Sequence, residues 1–266
     1  MRDDHAMQVR AGIAPPKGLL RRLVEWPLRA MGVEPIPAWD ISNHAHNYVH
    51  AELLREIFDV MAIDCVFDVG AFNGHFGRFL RKKVGFRGTI LSFEPQPEPF
   101  RALEEASRQE ELWHAFPVAL GAESGEFEMN VMNKLWFSSF LAPSAATPQN
   151  MASRNTVEST VPVRIERLAD RFDMLAARHG FTRPFLKMDT QGFDLQVLQG
   201  ALPRIDRFLG LQSEVSMIPI YVGMPDWKDA LAEYQKVGFA LSGVFPVSRD
   251  GQLRAVELDA VMVRTD

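Results

Sequence analysis

The sequence predicts an α/β fold: a doubly wound, mostly parallel sheet that ends in an antiparallel hairpin and carries an inserted hairpin after its third strand. Three observations predict it. Short apolar runs alternate with amphipathic helical stretches between residues 48 and 120. A glycine turn follows the first run, in Val66-Phe67-Asp68-Val69-Gly70-Ala71-Phe72-Asn73-Gly74. The last two runs, 239–247 and 253–264, are joined by Ser248-Arg249-Asp250-Gly251, and Asp-Gly is a hairpin signal.

Each element has its own reason. Val49, Leu53, Leu54, Ile57, Phe58 and Met61 recur at helical spacing over 48–61, with Ser42 or Asn43 as candidate caps. Residues 65–69 form an apolar strand buried on both faces. A helix over 75–84 turns Phe76, Phe79, Leu80 and Val84 inward and leaves Arg78, Arg81, Lys82 and Lys83, with Arg87 beyond, as a solvated face. Strand 89–93, helix 97–109 with proline in its first turn, and strand 113–120 continue the alternation. Strands 126–132 and 160–164 bracket an irregular middle, 133–155, read as an inserted hairpin with a mobile loop. Strand 185–188, helix 193–201 and strand 208–215 resume the core. Asp226 caps a helix over 227–237, and Gly238 ends it in the left-handed conformation.

Composition narrows the function classes. With 47% apolar residues, 266 residues supply one sizeable core, read as a main domain over 46–266 preceded by an arm or cap over 1–45. A charge of −5 argues against a nucleic-acid partner, since general binders are more often basic. Cys65 is the single cysteine, which excludes an internal disulfide framework and a cysteine-based zinc site, and fits a cytoplasmic location. No run of about 18 uncharged apolar residues offers a transmembrane segment. Leu19, Leu20, Leu23, Val24 and Leu28 are interrupted by Arg21, Arg22, Glu25 and Arg29, which reads as an amphipathic arm on the domain rather than a signal peptide or a membrane-surface helix.

The glycine turn selects among cofactors. A dinucleotide fingerprint needs a middle glycine so that a pyrophosphate can approach the backbone, and Phe72 stands there. No Lys-Ser or Lys-Thr follows, so it is no P-loop. Gly70 and Gly74 give a tight turn, and Glu94, 20 residues after Gly74 at the tip of the next strand, suits two ribose hydroxyls. Asp68 lies near the cationic amino-acid end. This is a pattern for S-adenosylmethionine, which carries a ribose and no phosphate.

These residues resemble the FkbM-type methyltransferases. The resemblance rests on Phe67-Asp68-Val69-Gly70-Ala71-Phe72-Asn73-Gly74, on Phe93-Glu94-Pro95-Gln96-Pro97 with Phe100 and Leu103, and on Leu186-Lys187-Met188-Asp189-Thr190-Gln191-Gly192-Phe193-Asp194 through Gly200-Ala201. Val118 to Gly125 and Ser138-Ser139 look similar too. The resemblance implies a class I methyltransferase (Rossmann-like) fold, in which a closing antiparallel hairpin is usual. It also implies S-adenosylmethionine-dependent O-methylation of a hydroxyl on a saccharide, glycan or secondary metabolite. The candidate cofactor set is then Asp68, Gly70, Ala71, Asn73, Gly74, Glu94, Pro95, Val118 and Ala119. Phe72 before Asn73, and Asp194 in place of a more usual Glu, depart from the pattern.

A hydroxyl acceptor must lose its proton, and a carboxylate near the methyl group serves as base. Asp189 and Glu214, at the carboxyl ends of their strands, are the catalytic candidates. Asp189 also fits a helix N-cap or a pair with Lys187, and Glu214 a pair with an arginine. Two such carboxylates could hold a divalent cation, but no dense acidic motif demands one and no metal is expected. His44, His46 and His50 read as helix-start histidines rather than zinc ligands, and His75 as a surface or capping residue. Trp136 and Phe137 either close over an acceptor or anchor their loop. A homo-oligomer is compatible with the sequence. The rival functions are a cofactor-binding scaffold without catalysis and a nicotinamide oxidoreductase.

Overall fold

The computed structural model describes residues 38–265, with side chains from 47. Two units divide the chain, Met1–Val49 and His50–Asp266. The arm expected over Leu19 to Arg29 and the side chains of His44 and His46 lie outside the described residues.

Helix α1 spans Ala38–Val60, so Ser42 and Asn43 fall inside it rather than at its start. Strand β1 (Cys65–Val69) is buried along its whole length, as expected of a central strand with covered faces. Helix α2 (His75–Phe79) continues as a single π-turn, Leu80–Val84. Strand β2 (Thr89–Phe93), helix α3 (Pro97–Ser107) and strand β3 (Trp113–Phe116) follow.

The strand expected over 113–120 is broken in two. Strand β4 (Ala119–Leu120) leaves the main sheet and pairs with β6 (Val157–Glu166), which also pairs antiparallel with β5 (Gly125–Met132). Helix α4 (Gln149–Ala152) lies in the insertion. Helix α5 (Leu168–His179) then crosses to strand β7 (Pro184–Met188), helix α6 (Asp194–Ala201), strand β8 (Gly210–Ser216) and helix α7 (Trp227–Lys236). Strands β9 (Phe239–Arg249) and β10 (Ala255–Arg264) close the chain.

The main sheet has the order β3-β2-β1-β7-β8-β10-β9, parallel from β3 to β8 and antiparallel through β10 and β9. This is the class I methyltransferase, Rossmann-like arrangement. The order reverses between β1 and β7, and ligands of such sheets bind at that switch point, beyond the carboxyl ends of the strands.

The sheet has a core on each face. Phe67, Phe93, Phe172, Phe181 and Phe208 cluster on one face, where Phe67 stacks or packs edge-on against the other four. Leu54, Phe58, Leu80, Ile90, Trp113 and Phe185 fill the other. Cys65 is fully buried, and burial pushes its thiol well up.

Two expectations need correction. Arg81 does not belong to a solvated face. It is 9% exposed, and its guanidinium donates to the carbonyls of Phe86, Gly88 and Leu112 and to Glu110. The π-turn leaves it over loop ends whose carbonyls need donors. The middle of the insertion is also more ordered than a mobile loop. Met132, Phe137, Met151, Ile220, Tyr221 and Val256 form a third small core, and the Ile220 carbonyl accepts from Ser144 N, Thr147 Oγ1 and Asn155 Nδ2.

The Asp226 cap and the left-handed Gly238 are as expected: Lys228 N donates to Asp226 Oδ1 at 2.9 Å, and Gly238 has φ 92°. The closing hairpin is present, but its turn is longer. Asp250 Oδ1 accepts from the amides of Gln252 and Arg254, and Leu253, not Gly251, takes the positive φ, 65°.

Candidate active site

Sheet register assembles the site. Phe93, Val69, Met188 and Ser213 are mutual neighbours across β2, β1, β7 and β8. The next residue of each strand is therefore Glu94, Gly70, Asp189 and Glu214, on the opposite face, one row nearer the carboxyl ends. Asp259 of β10 pairs with Glu214 and extends the row.

The turn after β1 is closed by its own amides. Gly70 N and Ala71 N both donate to Phe93 O at 3.0 Å, Phe72 N donates to Glu94 Oε2 at 2.8 Å, and Gly74 N donates to Ala71 O at 2.8 Å. Gly70 has φ 73°, and a Cβ there would stand 1.9 Å from the Asp189 carbonyl oxygen, so only glycine fits between β1 and β7. Gly74 has φ 81° and abuts Leu103 and Trp113. A turn built for a diphosphate turns its N–H groups outward. Here four of them serve the protein itself, which disfavours the dinucleotide reading.

Glu94 is 3% exposed. Each carboxylate oxygen accepts one backbone amide at 2.8 Å, Oε2 from Phe72 and Oε1 from Gln96. Burial pushes its pKa up to about 7, against the pull of those amides and of Lys187. Each oxygen keeps a further lone pair, so the group fits the two ribose hydroxyls of S-adenosylmethionine.

Asp68 is fully buried and faces away from the row of Val69. Ser92 Oγ donates to its Oδ2 at 3.1 Å, Trp113 Nε1 donates to Ser92 Oγ at 3.0 Å, and Lys187 Nζ lies 3.1 Å from Oδ1. Lys187 also donates to Gly70 O at 3.1 Å and stands 3.6 Å from Asp189 Oδ2. Burial alone would lower the Lys187 ammonium. The Asp68 and Asp189 carboxylates override it and hold the ammonium above its usual range. Lys187 is thus a counter-charge shared between the cofactor turn and the acid at the end of β7.

The remaining cofactor candidates spread around this centre. Ala71 is buried, Asn73 is half-buried and accepts from Arg78 through its carbonyl and side chain, and Pro95 is half-buried beside Glu94. Val118 bridges β3 and β4, and Ala119 belongs to the second sheet, opposite Ile165. His75 is exposed at the start of α2 and supplies no cap. His50 is buried elsewhere, hydrogen-bonded to Gln212 at 2.9 Å and stacked on Phe245.

Asp189 and Glu214 come together through a residue that sequence reasoning did not single out. Gln191 Nε2 donates to Glu214 Oε2 at 2.9 Å and reaches Asp189 Oδ1 at 3.3 Å. Asp189 caps no helix: the N-cap position of α6 is Phe193, without a side-chain cap, and Asp194 at the helix start accepts from Thr190 N, Thr190 Oγ1 and Ser213 Oγ. Nor is Glu214 paired with an arginine among the described residues. Burial, then Glu257, Asp189, Asp259 and Asp194, push the Glu214 carboxyl well up. Burial also raises Glu257 and Asp259 to about 7. Asp189 keeps 38% side-chain exposure. No group of three or more His, Cys, Asp or Glu among the described residues is arranged to hold a metal ion.

The Methyltransferase FkbM domain matches residues 68–241. This chain belongs to the FkbM methyltransferase family. Membership implies an S-adenosylmethionine-dependent methyltransferase, and the matched segment holds both the glycine turn and the acid pair. Solved structures resemble the chain at low identity. An FkbM methyltransferase from Methylobacillus flagellatus KT is 14% identical with a TM-score of 0.46, over 74% of this chain and 43% of that one. Aeropyrum pernix fibrillarin, in complex with natively bound S-adenosyl-L-methionine, is 13% identical with a TM-score of 0.45, over 82% and 76%. An rRNA methylase from Streptococcus thermophilus is 10% identical with a TM-score of 0.43, over 82% and 96%. A search of curated proteins returns no match. Among the described residues no helix is long and apolar enough to cross a membrane.

Proposed function

We propose that this methyltransferase methylates a hydroxyl oxygen on a saccharide, glycan or secondary metabolite, without a metal ion and without a nucleic-acid partner. The observation that carries the reading is the shared row of strand ends: the Glu94 carboxylate on one side of Gly70, Asp189 and Glu214 on the other. Glu94 holds the ribose. Gly70, Ala71, Asn73 and Gly74 shape the backbone against the amino-acid portion, and Asp68 acts there through Lys187. Pro95, Val118 and Ala119 border the adenosine. When bound, S-adenosylmethionine supplies a methyl carbon activated on a sulfonium. Asp189, partly exposed, would take the proton of the acceptor hydroxyl as the hydroxyl oxygen receives the methyl group. Glu214, its carboxyl pushed up by burial and its acidic neighbours, stands beside Asp189 as the second acid of this corner and accepts from Gln191. The net charge of −5 over the chain supports a neutral hydroxyl compound over a polyanion such as RNA.

A labelled-methyl screen over glycan and metabolite panels, with and without EDTA, tests the reading. Transfer to a hydroxyl compound that survives EDTA is the expected result. Asp189→Asn should then lower kcat by roughly 10²- to 10⁴-fold while S-adenosylhomocysteine affinity stays within about twofold. Transfer to nitrogen or to RNA alone, or full turnover in both Asp189→Asn and Glu214→Gln, would overturn it.

A further inference from the structure

The acceptor side contains a residue that the proposed reaction does not use. Gln191 lies in the left-handed region at φ 54°, a conformation that costs a non-glycine residue free energy and persists where surroundings impose it. Gly192 follows at φ 87°. The paired turn brings the Gln191 carboxamide back over the strand ends. Its Nε2 serves Glu214 and Asp189, and its Oε1 lies 2.7 Å from the Tyr221 hydroxyl. The same hydroxyl lies 2.7 Å from Phe137 O. The Gln191 carbonyl accepts from Ser139 Oγ at 2.7 Å.

Phe137 ends the aromatic 3-10 turn Leu135–Phe137 of the insertion, and Ser139 follows just beyond it. The far end of that turn is tied to the cofactor side, where Gln96 Nε2 reaches Leu135 O at 3.3 Å and Gln96 N donates to Glu94. The turn thus spans the site, fastened to the ribose-side acid at one end and to the acid pair at the other. Trp136, in the middle, remains 52% exposed. The Tyr221 hydroxyl stands within reach of both acceptors at once and bridges them as a shared donor, so the turn and the Gln191 carboxamide must both be in place for the bridge to form.

We propose that Gln191 is a positioning residue whose carboxamide sets the relative orientation of Asp189 and Glu214 and, through the Tyr221 hydroxyl, couples that orientation to the seating of the aromatic turn. The proposal rests on the reading of Asp189 and Glu214 as the acceptor-side acids. Seating of the turn and alignment of the base then occur together, which ties proton removal to a covered site.

Hydrogen exchange by mass spectrometry on the full chain tests it without relying on turnover. Gln191→Leu and Tyr221→Phe should each speed amide exchange over residues 135–139 by about tenfold and leave residues 65–74 unchanged. The double variant should be no faster than the faster single, because the two side chains act in one chain of bonds. In kinetics, Gln191→Leu should lower kcat about tenfold or more, with S-adenosylhomocysteine affinity within about twofold of wild type. Unchanged exchange over 135–139 in both single variants, or strictly additive effects in the double, overturns the proposal. Full turnover in Asp189→Asn and Glu214→Gln overturns the reaction assigned to the acids instead, and leaves the exchange result as the test of Gln191.

Discussion

The two halves of the strand-end row are built from different material. The half proposed for the cofactor, between β1 and β2, is backbone: amides of Gly70, Ala71, Phe72 and Gln96 fold around Phe93 O and the Glu94 carboxylate. The half proposed for the acceptor, at the ends of β7, β8 and β10, is side chain on side chain: Gln191 on Glu214 and Asp189, Tyr221 on Gln191, Ser248 on Glu257 at 2.6 Å. A backbone-built cradle tolerates change around it as long as its glycines and its acid stay. A side-chain network can be retuned one residue at a time, which suits the half that must choose an acceptor. Lys187 stands at the junction and neutralises acids of both halves.

The sharpest way to break this comparison is at the point where the halves touch. Gly70→Ala forces a Cβ onto the Asp189 carbonyl at positive φ, and should destabilise the protein by at least about 3 kcal/mol in urea unfolding. Gly85→Ala is the control. It has φ 83° but nothing within 4 Å, and should cost only about 1 kcal/mol. Equal losses would mean that strand-to-strand closeness is not what Gly70 provides.

Next in size is Glu94→Gln, which keeps the shape and removes the charge. It should weaken S-adenosylhomocysteine by roughly 10- to 100-fold in calorimetry and leave the proton chemistry of the acceptor half intact. The pH dependence carries opposite signs for stability and for binding. The Glu94 carboxyl sits at about 7 in the fold against an ordinary value of 4.5. Its contribution to stability is therefore present below 4.5 and lost as pH rises to about 7. Binding needs the ionised acceptor, so cofactor affinity should fall as pH drops through about 7, by up to roughly tenfold per unit. Thermal melts and calorimetry between pH 5 and 8, with Glu94→Gln flattening both trends, check the two signs together. The smallest effect belongs to Trp136→Ala. With its ring half-exposed, the change should raise the acceptor KM by about two- to fivefold and leave cofactor affinity alone.

Legibility in the sequence followed the same division. The glycine turn, the acid 20 residues later and the apolar strands are local patterns, and β1, β2, the Asp226 cap and the closing hairpin emerged from them. The break between β3 and β4 did not, because Val118 reads as strand on either side while the second sheet that captures Ala119 is formed by β6, far along the chain. Helix α5 escaped notice within the charged stretch after β6. Gln191, Tyr221, Glu257 and Asp259 were not singled out, since their roles arise only when β7, β8, β10 and the insertion meet. One local signal for Gln191 did exist: the polar residue before Gly192, two positions after a strand-end aspartate, is a place for a left-handed turn.

The central claim is that the Gly70–Glu94 cradle binds S-adenosylmethionine and that Asp189 and Glu214 act on something else. Parallel calorimetric titrations of wild type, Glu94→Gln and Glu214→Gln with S-adenosylhomocysteine and with NAD test it most directly. S-adenosylhomocysteine should bind wild type and Glu214→Gln within about twofold of each other and bind Glu94→Gln markedly more weakly, and NAD should not bind. NAD binding without S-adenosylhomocysteine binding, or equal losses in both variants, would contradict it.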